Sequence, residues 1–222
     1  NQKFDNITGV PKSLIAHYYN MLAEYYNEIF INDRAVSPQN VLYEMLNRNL
    51  AQLGLPYGHI VLDMGCGSGY IGRLLKNSKV AVTVDGVDLS EKMVDVAAAE
   101  KVDGQKVYDI LKCGDAMEYL ANASTQYSII IASNFLGHNP KPEEFFKLVH
   151  SKLKDGGVLV FTFKVLNDDT KKLQFDQITE DFRFNGKNIM NMVSNDNWKL
   201  LLSMPITFIE EEDTGLVIVQ KK

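Results

Sequence analysis

The residues best suited to bind a ligand form a glycine-rich segment, "HIVLDMGCGSGYIG", from His59 to Gly72. It contains two overlapping patterns, Gly65-x-Gly67-x-Gly69 and Gly67-x-Gly69-x-x-Gly72. A glycine turn between a strand and a helix lets the backbone approach a ligand closely, and the helix N-terminus favours negative charge. The second pattern matches the letters of a dinucleotide-binding motif. The segment therefore predicts a nucleotide-type cofactor, whose class must be read from neighbouring residues.

Two neighbouring residues separate the possible cofactors. A dinucleotide motif that opened at Gly65 would need glycine at position 70, which is Tyr70. A motif that opened at Gly67 would place Asp63 inside the buried strand, where an unpaired carboxylate is costly or shifts its pKa. We therefore expect Asp63 at the strand tip, where it meets the cationic ammonium of S-adenosylmethionine directly or through the amides of the turn. Gly72 then lies in the following helix and lets it pack near the sheet. The predicted contacts of this cofactor in the turn are Asp63, Gly65, Cys66, Gly67 and Gly69.

Two aspartates after later strand-like segments suit the same cofactor. Asp88 ends "GVDLS", about 20 residues beyond the turn, where a carboxylate accepts hydrogen bonds from ribose hydroxyls. Asp115, in "CGDAMEYL", is placed to accept from the adenine amino group while the amide of Ala116 faces a ring nitrogen. Leu89 and Met93 would enclose the adenine. The alternatives are a helix cap for either aspartate, although a serine already suits the first cap, and ordinary core packing for Met93.

Apolar segments alternate with amphipathic ones through the middle of the chain. The strand-like segments are "HIVLDM", "VTVDGVDL", "KVYDILKC", "YSIIIAS" and "VLVFTFKV". The helix-like ones are "YIGRLLKNS", "EKMVDVAAAEKV", capped by Ser90, and "PEEFFKLVHSKL", which ends at "KDGG". This alternation predicts a parallel, doubly wound sheet. "NWKLLLSMPITFI" and "TGLVIVQKK" are also strand-like, and the acidic turn between them is too short for a parallel return, so they should pair antiparallel.

Two helices are expected before the first strand. Apolar and aromatic residues recur at helical spacing from Pro11 to Phe30. A second helix should begin at Pro38, after Ser37 as its N-cap, and stop at Gly54. These helices form the N-terminal part that we expect to act as a lid.

Together the elements predict one α/β domain with a Rossmann-like, doubly wound, mostly parallel seven-stranded sheet. An antiparallel C-terminal hairpin finishes the sheet, and an N-terminal helical lid precedes it. We expect a single domain over residues 1–222, with the lid in 1–55, a cofactor-binding half in 56–165 and a substrate-side half in 166–222.

The composition argues against several other classes. A formal net charge of -5 at pH 7 lacks the basic footprint of a general nucleic-acid or anionic-membrane binder. No apolar run approaches the roughly 20 residues of a membrane-spanning helix, and the first residues lack the apolar core of a signal peptide. With only Cys66 and Cys113, a disulfide framework is not expected. The four histidines are dispersed, so we expect no metal, and we expect a cytoplasmic protein.

Several segments resemble the successive motifs of class I S-adenosylmethionine-dependent methyltransferases: "VLDMGCGSGYIG", "GVDLS", "GDAMEYL" and "LKDGGVLVFTF". More narrowly, the chain resembles the methyltransferase-like family named after the Williams–Beuren syndrome region. "YNMLAEYYN", from Tyr19 to Asn27, is similar to that family's Tyr-Asp-x-x-Ala-x-x-Tyr-Asp pattern, with Asn20 and Asn27 in place of the aspartates. "KVYDILKCGD", "FLGHNPKPEEF" and "TGLVIVQKK" also resemble segments of this family. The resemblance runs from about Tyr18 to the end of the chain.

This resemblance implies a class I methyltransferase fold, with S-adenosylmethionine as the cofactor and S-adenosylhomocysteine as its product. It also implies that Tyr19 or Tyr26 closes over the cofactor, whereas the residues alone equally allow a packed aromatic helix face. The two exchanges of aspartate for asparagine leave the contacts of the lid open, and the family does not specify a substrate. The implied cofactor contacts are Asp63, Gly65, Gly67, Gly69, Asp88, Asp115 and Ala116.

Methyl transfer from a sulfonium is an in-line displacement, so the protein mainly aligns the acceptor and excludes water. A base helps where the acceptor must lose a proton. His138, beyond the fourth strand, is the best-placed candidate, and its alternative role is to shape the turn before Pro140. Asn134, just past the same strand, is placed to hold the methionine end of the cofactor or the substrate. Lys164 would hold an anionic substrate or be a solvated lysine at a strand end.

The sequence favours a small organic molecule as the acceptor, with a protein side chain second. No Asn-Pro-Pro-Tyr-like segment follows the fourth strand, so amino methylation of nucleic-acid bases is not predicted. Two other functions remain open. One is a nicotinamide-dependent oxidoreductase, which Tyr70 and Asp63 disfavour. The other is a non-catalytic S-adenosylmethionine-binding protein that acts through a partner.

Overall fold

The computed structural model describes residues 10–32, 37–177, 181–206 and 214–222 of the chain. The helices in these ranges are α1 (Lys12–Leu22), α2 (Pro38–Gln52), α3 (Tyr70–Asn77), α4 (Glu91–Ala99), α5 (Ala116–Asn122), α6 (Pro142–Lys152) and α7 (Gly186–Val193). A π-helical turn covers Glu28–Asn32, and a 3-10 turn covers Leu136–His138. The strands are β1 (His59–Met64), β2 (Ala81–Asp88), β3 (Lys101–Val102), β4 (Gln105–Lys106), β5 (Ile110–Cys113), β6 (Tyr127–Ala132), β7 (Leu153–Val165), β8 (Leu173–Asp176), β9 (Asp181–Phe184), β10 (Trp198–Ile206) and β11 (Thr214–Lys221).

One large sheet organises the molecule, with strand order β10-β11-β7-β6-β1-β2-β5. β1, β2, β5, β6 and β7 run parallel, whereas β11 runs antiparallel to both β7 and β10. The predicted fold class is therefore confirmed. β8 and β9 add an unpredicted antiparallel hairpin, and β9 runs parallel to the end of β7. Because parallel strands end at one edge, the loops after β1, β2, β5 and β6 are brought together there.

The central strands are apolar on both faces because helices cover both sides of the sheet. Successive side chains of a strand point to opposite faces. In β6, Ile130 packs with Leu62 of β1 on one face, whereas Ile129 and Ile131 pack with Val61 on the other. The uninterrupted apolar run of this strand is thus divided between two cores.

The second helix matches its prediction and the first one differs. The hydroxyl of Ser37 accepts a hydrogen bond from the amide of Asn40 at 3.2 Å, so it caps α2 as predicted. The first helix was expected to continue to Phe30, but α1 ends at Leu22. The amide of Tyr25 bonds the carbonyl of Leu22, three residues earlier, which tightens the chain and interrupts the regular helix.

The predicted third strand, from Lys106 to Cys113, is wrong in its first half. Only Ile110–Cys113 pairs with β2. Lys106 instead pairs with Lys101 in the small hairpin β3–β4, so the preceding helix also ends earlier than predicted, at Ala99. The hairpin turns at Asp103 and Gly104, which both have positive φ, and an Asp-Gly pair at that position is a strong hairpin signal that the strand-and-helix pattern obscured.

The chain after α6 also departs from expectation. "KDGG" was predicted to end the helix before the fifth strand, but β7 already begins at Leu153, directly after the helix. Gly156 has a φ of 73°, and the register between β6 and β7 shifts after Tyr127, so "KDGG" forms an irregular start of the strand. The helix α7 was not predicted. The acidic turn between β10 and β11 lies outside the described residues.

Cys66 is buried and Cys113 is exposed, and neither forms a disulfide, in agreement with the expected absence of a disulfide framework. In the described part of the chain, no helix has both the length and the apolar character that crossing a membrane requires.

The close packing of the C-terminal hairpin makes a stability prediction. A Cβ atom at Gly215 of β11 would lie 2.5 Å from the ring of Phe163 on β7, so Gly215→Ala should lower the free energy of unfolding by about 1–3 kcal/mol. Gly186→Ala is the matched control, because nothing lies within 4 Å of a Cβ there. Urea unfolding followed by circular dichroism measures both variants. Equal stability of the two variants would contradict the packing described here.

Candidate active site

A cavity of about 400 Å³ opens at the carboxyl edge of the sheet, where the loops after β1, β2, β5 and β6 meet α1. Most of the predicted site residues line this cavity, although they come from distant parts of the sequence. They are Tyr19, Tyr26, Gly65, Gly67, Asp88, Leu89, Met93, Asp115, Ala116, Asn134 and His138. The exceptions are Asp63, Cys66 and Gly69.

The glycine turn between β1 and α3 has the conformation that only glycine adopts readily. Gly65, Gly67 and Gly69 have φ values of 68°, 52° and 84°, in the left-handed region. The amide of Gly65 donates to the carbonyl of Val87 at 2.8 Å, which joins the turn to the end of β2. Because the first two glycines line the cavity without side chains, a ligand can approach the backbone there.

Asp88, the last residue of β2, is held by two backbone amides. One oxygen of its carboxylate accepts from Gly67 at 2.8 Å and the other accepts from Ser90 at 2.9 Å. Burial raises the pKa of Asp88, and these two hydrogen bonds act in the opposite direction. Each oxygen keeps a second lone pair, which can accept from a hydroxyl group in the cavity. The cap of α4 is Ser90, whose hydroxyl accepts from the amide of Met93 at 3.1 Å, as predicted.

Asp115 lines the cavity and also caps a helix, which was its alternative role in the sequence. Its carboxylate caps α5 by accepting from the amide of Glu118 at 2.9 Å, and it also pairs with Lys12 of α1. Burial acts to raise the pKa of Asp115, but the hydrogen bonds from Lys12 and Glu118 outweigh it, so the pKa lies below its usual value. Ala116 lines the cavity beside it. Across the cavity, Met93 is both a lining residue and part of the core.

Two asparagines join the N-terminal segment to the loops that follow β1 and β2. The side-chain oxygen of Asn20 accepts from the hydroxyl of Ser90 at 2.7 Å and from the amide of Lys92 at 3.0 Å. The side-chain oxygen of Asn27 accepts from the hydroxyl of Ser68 in the glycine turn at 2.5 Å. These are the two positions at which the sequence departs from the aspartates of the resembling family. The oxygen acceptor is kept and the negative charge is absent.

Tyr19 and Tyr26 form an aromatic wall of the cavity. Their ring centroids lie 6.3 Å apart, and Tyr26 packs against Phe30 at 4.9 Å. Burial raises the pKa of Tyr19 well above its usual value, so the phenol is neutral. From the sequence, these tyrosines were expected either to close over a cofactor or to form a packed aromatic face. In the structure, the rings of Tyr19 and Tyr26 pack together and also line the cavity.

His138 lies in the 3-10 turn after β6, opposite Tyr19. Its Nε2 and the hydroxyl of Tyr19 are 3.1 Å apart and share a hydrogen bond. Burial lowers the pKa of His138; the negative charge of Asp181 acts to raise it, and the positive charge of Lys164 acts to lower it. The ring is therefore neutral near pH 7 and keeps a lone pair that can accept a proton. Its Nδ1 is buried and has no hydrogen-bond partner among the described residues.

Asp181 lies against the turn that carries His138, and the sequence did not indicate this position. It begins β9, in the unpredicted hairpin, and pairs with Lys164 of β7 at 2.6 Å. Lys164 was expected to be solvated or to meet an anionic substrate, and it is instead largely buried in this pair. A Cβ atom at Gly137 would lie 3.3 Å from the Cβ of Asp181, so the ion pair packs directly against the turn that carries His138.

The segment after His138 supplies further cavity residues. Asn139, Pro140, Lys141 and Glu144 line the cavity, and Phe135 lines it from the preceding turn. The amide of Lys141 donates to Asn139 Oδ1 at 3.0 Å, while Asn139 Nδ2 is buried without a partner among the described residues. The only available signal was their position in "FLGHNPKPEEF", because neither residue type nor spacing distinguishes them from an ordinary loop.

Three predicted turn residues lie away from the cavity. Asp63 was expected at the strand tip facing the ligand, but it pairs with Gly86 and Ile131 inside the sheet and is 1% exposed. Its carboxylate accepts from the hydroxyl of Tyr108 at 2.9 Å, so it has the partner whose absence the prediction assumed. Cys66 is buried in the core.

Gly69 is a packing residue as well. A Cβ atom there would lie 3.1 Å from Ala97 and from the ring of Tyr108. Gly72 follows the prediction that it packs within α3, because its Cβ would lie 2.6 Å from the hydroxyl of Tyr108. The cavity wall is thus made by the first two glycines, and the later two make room for a tyrosine.

The two hydrogen bonds of Asn20 predict how firmly α1 is held against the rest of the domain. Asn20→Ala removes the acceptor of Ser90 and Lys92, so amide hydrogens of α1 should exchange about fivefold faster or more. Hydrogen exchange followed by mass spectrometry measures this rate. Asn20→Asp is the matched control, because it keeps the acceptor beside the N-terminus of α4 and should exchange like the parent protein. Unchanged exchange in Asn20→Ala would show that these bonds do not hold α1 in place.

Curated relatives match more than half of the chain. Ubiquinone biosynthesis O-methyltransferase from Coxiella burnetii (strain Dugway 5J108-111) is 31% identical over 128 residues, which cover 58% of this chain and 52% of the relative. The 18S rRNA (guanine(1575)-N(7))-methyltransferase of Saccharomyces cerevisiae is 28% identical over 182 residues, 72% of this chain and 61% of that one. The chain therefore spans about half to three fifths of the length of these relatives.

A solved structure and a family model agree with this relationship. Magnesium protoporphyrin IX methyltransferase (ChlM) from Synechocystis PCC 6803, crystallised with bound S-adenosylmethionine, superposes with a TM-score of 0.70 at 17% identity. The match covers 98% of this chain and 100% of that chain, and it shows a shared fold. A family model described as a methyltransferase domain matches residues 39–203, from α2 through the glycine turn and into β10. The chain belongs to the methyltransferase domain family.

Proposed function

We propose that this protein transfers a methyl group from S-adenosylmethionine to a small organic acceptor. The observation that carries the proposal is Asp88, a carboxylate held by the amides of Gly67 and Ser90 at the carboxyl edge of a parallel sheet. It faces a cavity that the glycine turn also lines. In sheets of this kind, an acidic residue at the end of the second strand receives ribose hydroxyls.

The remaining residues around the cavity suit the other parts of S-adenosylmethionine. Asp115 and the amide of Ala116 would receive the adenine edge, with Leu89 and Met93 enclosing the ring. Gly65 and Gly67 would lie beside the methionine end. Asn134, whose own amide is fixed by a 2.7 Å bond to the hydroxyl of Thr162, would provide a polar side chain there. When bound, the cofactor supplies an already activated methyl group.

The protein's own task is to align the acceptor, exclude water and remove a proton. Tyr19 and Tyr26 close the cavity on the side of α1, which keeps water from the acceptor. His138 is neutral and points its Nε2 at the hydroxyl of Tyr19, so an acceptor hydroxyl that displaces this contact would find a base within hydrogen-bond reach. The proton of the acceptor then passes to His138 Nε2.

The cavity walls favour a mainly apolar acceptor with one or two polar groups. Ile15, Phe135 and Pro140 supply apolar surface, while Lys141 and Glu144 supply charges of both signs. In the part of the chain that the structure describes, Nδ1 of His138 and Nδ2 of Asn139 are buried without hydrogen-bond partners. They support a polar acceptor group on that side, because buried polar atoms ordinarily have partners. The Coxiella relative, by name, is an O-methyltransferase of ubiquinone biosynthesis, and by analogy we propose attack through a hydroxyl group.

Protein and RNA acceptors are the alternatives. A protein side chain was the second choice from the sequence, and the yeast relative is by name an rRNA methyltransferase. The net charge of -5 argues against an extended RNA surface. Incubation with labelled S-adenosylmethionine and separate metabolite, protein and RNA fractions distinguishes them, and label in the metabolite fraction is expected. Binding of a cofactor without transfer to any fraction would favour a non-catalytic binding protein.

The organisation of the chain is part of the proposal. Residues 1–55 would act as the lid, 56–165 as the cofactor-binding half and 166–222 as the substrate-side half of one methyltransferase domain. The contact between Asp181 of β9 and the turn of His138 supports a role of the third part at the acceptor side. Membership of the narrower Williams–Beuren-type family is likewise a proposal, supported by Tyr19, which lines the cavity, and by the bond of Asn27 to Ser68 of the glycine turn.

Asp88 should be needed for the cofactor. Asp88→Asn replaces one accepting oxygen by a donor that faces a backbone amide, so affinity for S-adenosylhomocysteine should fall about tenfold or more. Asp95→Asn is the matched control, because Asp95 is exposed on α4, which follows the same strand. Isothermal titration calorimetry with S-adenosylhomocysteine, and in parallel with NADH, measures the affinities. Tight binding of NADH without binding of S-adenosylhomocysteine would reject the proposal in favour of an oxidoreductase.

His138 should control the chemical step and its pH dependence. With the acceptor fraction identified above, His138→Gln should lower kcat by roughly 10²–10⁴-fold while cofactor affinity is retained. Because a base must be neutral and burial lowers the pKa of His138, kcat of the parent protein at saturating S-adenosylmethionine should persist below the usual histidine pKa and fall only at more acid pH. This acid limb should be missing in His138→Gln. If His138→Gln had the same kcat as the parent protein, His138 would have only a structural role.

A further inference from the structure

Tyr108 occupies an unusual place beneath the glycine turn. The residue lies between the hairpin β3–β4 and β5, in the half of the predicted strand that leaves the sheet, and it is 6% exposed. Its ring is surrounded by three glycines from three elements. Cβ atoms built at Gly69, Gly72 and Gly86 would lie 3.1, 2.6 and 2.5 Å from Tyr108 atoms. Any side chain at these positions would displace the ring.

The hydroxyl of Tyr108 forms a hydrogen bond with a buried carboxylate. The hydroxyl of Tyr108 donates to Oδ2 of Asp63 at 2.9 Å, in the interior of β1. Asp63 is two residues before Gly65, where the turn begins to line the cavity. A carboxylate buried without a partner is strongly disfavoured, so the conformation of the end of β1 depends on this donor.

The backbone next to Tyr108 is fixed from the outside. The amide of Asp109 donates to the carbonyl of Val84 at 2.8 Å, and Asp109 Oδ2 accepts from the amide of Val84 at 2.9 Å. Lys76 of α3 pairs with the same carboxylate at 2.8 Å. These contacts hold the chain against both β2 and α3, so the ring is held firmly between the sheet and the turn.

From this geometry we propose that Tyr108 is a positioning residue for S-adenosylmethionine, acting through Asp63 and the glycine turn. The inference rests on the proposed function, because it assigns Tyr108 to the binding of that cofactor. Tyr108 does not line the cavity, so it acts through the shape of the turn and the charge of Asp63. The hydrogen bond from the hydroxyl favours the ionised form of Asp63, and an anionic Asp63 beneath the turn favours a cationic ligand above it.

The titratable groups facing this pair determine the sign of its pH dependence. Burial raises the pKa of Asp63 to about 7, the hydrogen bond from Tyr108 acts to lower it, and the charge of Asp88 at the end of β2 acts to raise it. Cys66 of the turn also lies close, and burial raises the pKa of its thiol well above the usual value, so it stays neutral. Loss of the Tyr108 hydroxyl therefore raises the pKa of Asp63. The anionic form then requires a higher pH.

The test is the affinity for S-adenosylmethionine as a function of pH, measured by calorimetry between about pH 5.5 and 8.5. In the parent protein, the affinity should weaken as the pH falls through about 7. In Tyr108→Phe, which keeps the ring, this transition should move upward by about one pH unit, with roughly fivefold weaker binding at pH 7. In Asp63→Asn, which has no charge to lose, the transition should be absent.

Tyr127→Phe is the matched control. The hydroxyl of Tyr127 donates to Asp85 at 2.8 Å, and both residues are buried, but neither contacts the glycine turn. This variant should lose stability and keep the parent affinity and pH transition. Thermal unfolding of all the variants identifies any that fail to fold, and Asp63→Asn still tests the inference if Tyr108→Phe is one of them.

The outcomes separate this inference from the proposed function. A parent protein that binds neither S-adenosylmethionine nor S-adenosylhomocysteine would overturn the proposed function. A parent protein that binds, with Tyr108→Phe and Asp63→Asn showing its affinity and its pH transition, would overturn only the role of Tyr108. A shift in Tyr127→Phe equal to that in Tyr108→Phe would also overturn it, because the effect would then be a general loss of stability.

Discussion

The carboxylate of Asp88 is the interaction on which the cavity depends. It accepts hydrogen bonds from the amide of Gly67, in the turn after β1, and from the amide of Ser90, before α4. The backbone carbonyl of Asp88 accepts a third hydrogen bond from the amide of Gly114, after β5. Three loops that follow three different strands are thereby fixed to one residue. Each loop also contributes residues to the lining of the cavity. The shape of the cavity therefore depends on the backbone amides that bond Asp88, two of which stabilise its carboxylate.

Two further buried carboxylates are satisfied by tyrosines rather than by cations. Asp63 of β1 receives Tyr108, and Asp85 of the neighbouring β2 receives Tyr127 at 2.8 Å. A neutral donor avoids burying a second charge. Burial raises the pKa of both acids, and the hydrogen bond from each tyrosine acts to lower it. The two pairs differ in position: the first lies beneath the glycine turn and the second lies away from it. The same chemistry can therefore support ligand binding in one place and only stability in the other.

The N-terminal segment is joined to the rest of the domain by neutral asparagines that lie near the anionic Asp88. Asn20 bonds Ser90 and Lys92, close to the carboxylate of Asp88, and Asn27 bonds Ser68 of the glycine turn. Aspartates at these positions, as in the resembling family, would provide the same accepting oxygens. The asparagines keep these oxygens without adding a charge.

The sequence alone determined the sheet, the glycine turn, the antiparallel finish, and the positions of Asp88, Asp115 and His138 at strand ends, because hydrophobic periodicity and turn residues are local signals. It could not determine the environment of a side chain. Asp63 looked like an unpaired acid until the fold placed Tyr108, 45 residues later, against it. Asp181 lies against the turn of His138 because it begins β9. The short strands of that hairpin carry only a weak hydrophobic periodicity. Which groups meet across the chain is decided by tertiary packing, since contacts between distant residues leave no periodic signal in one sequence.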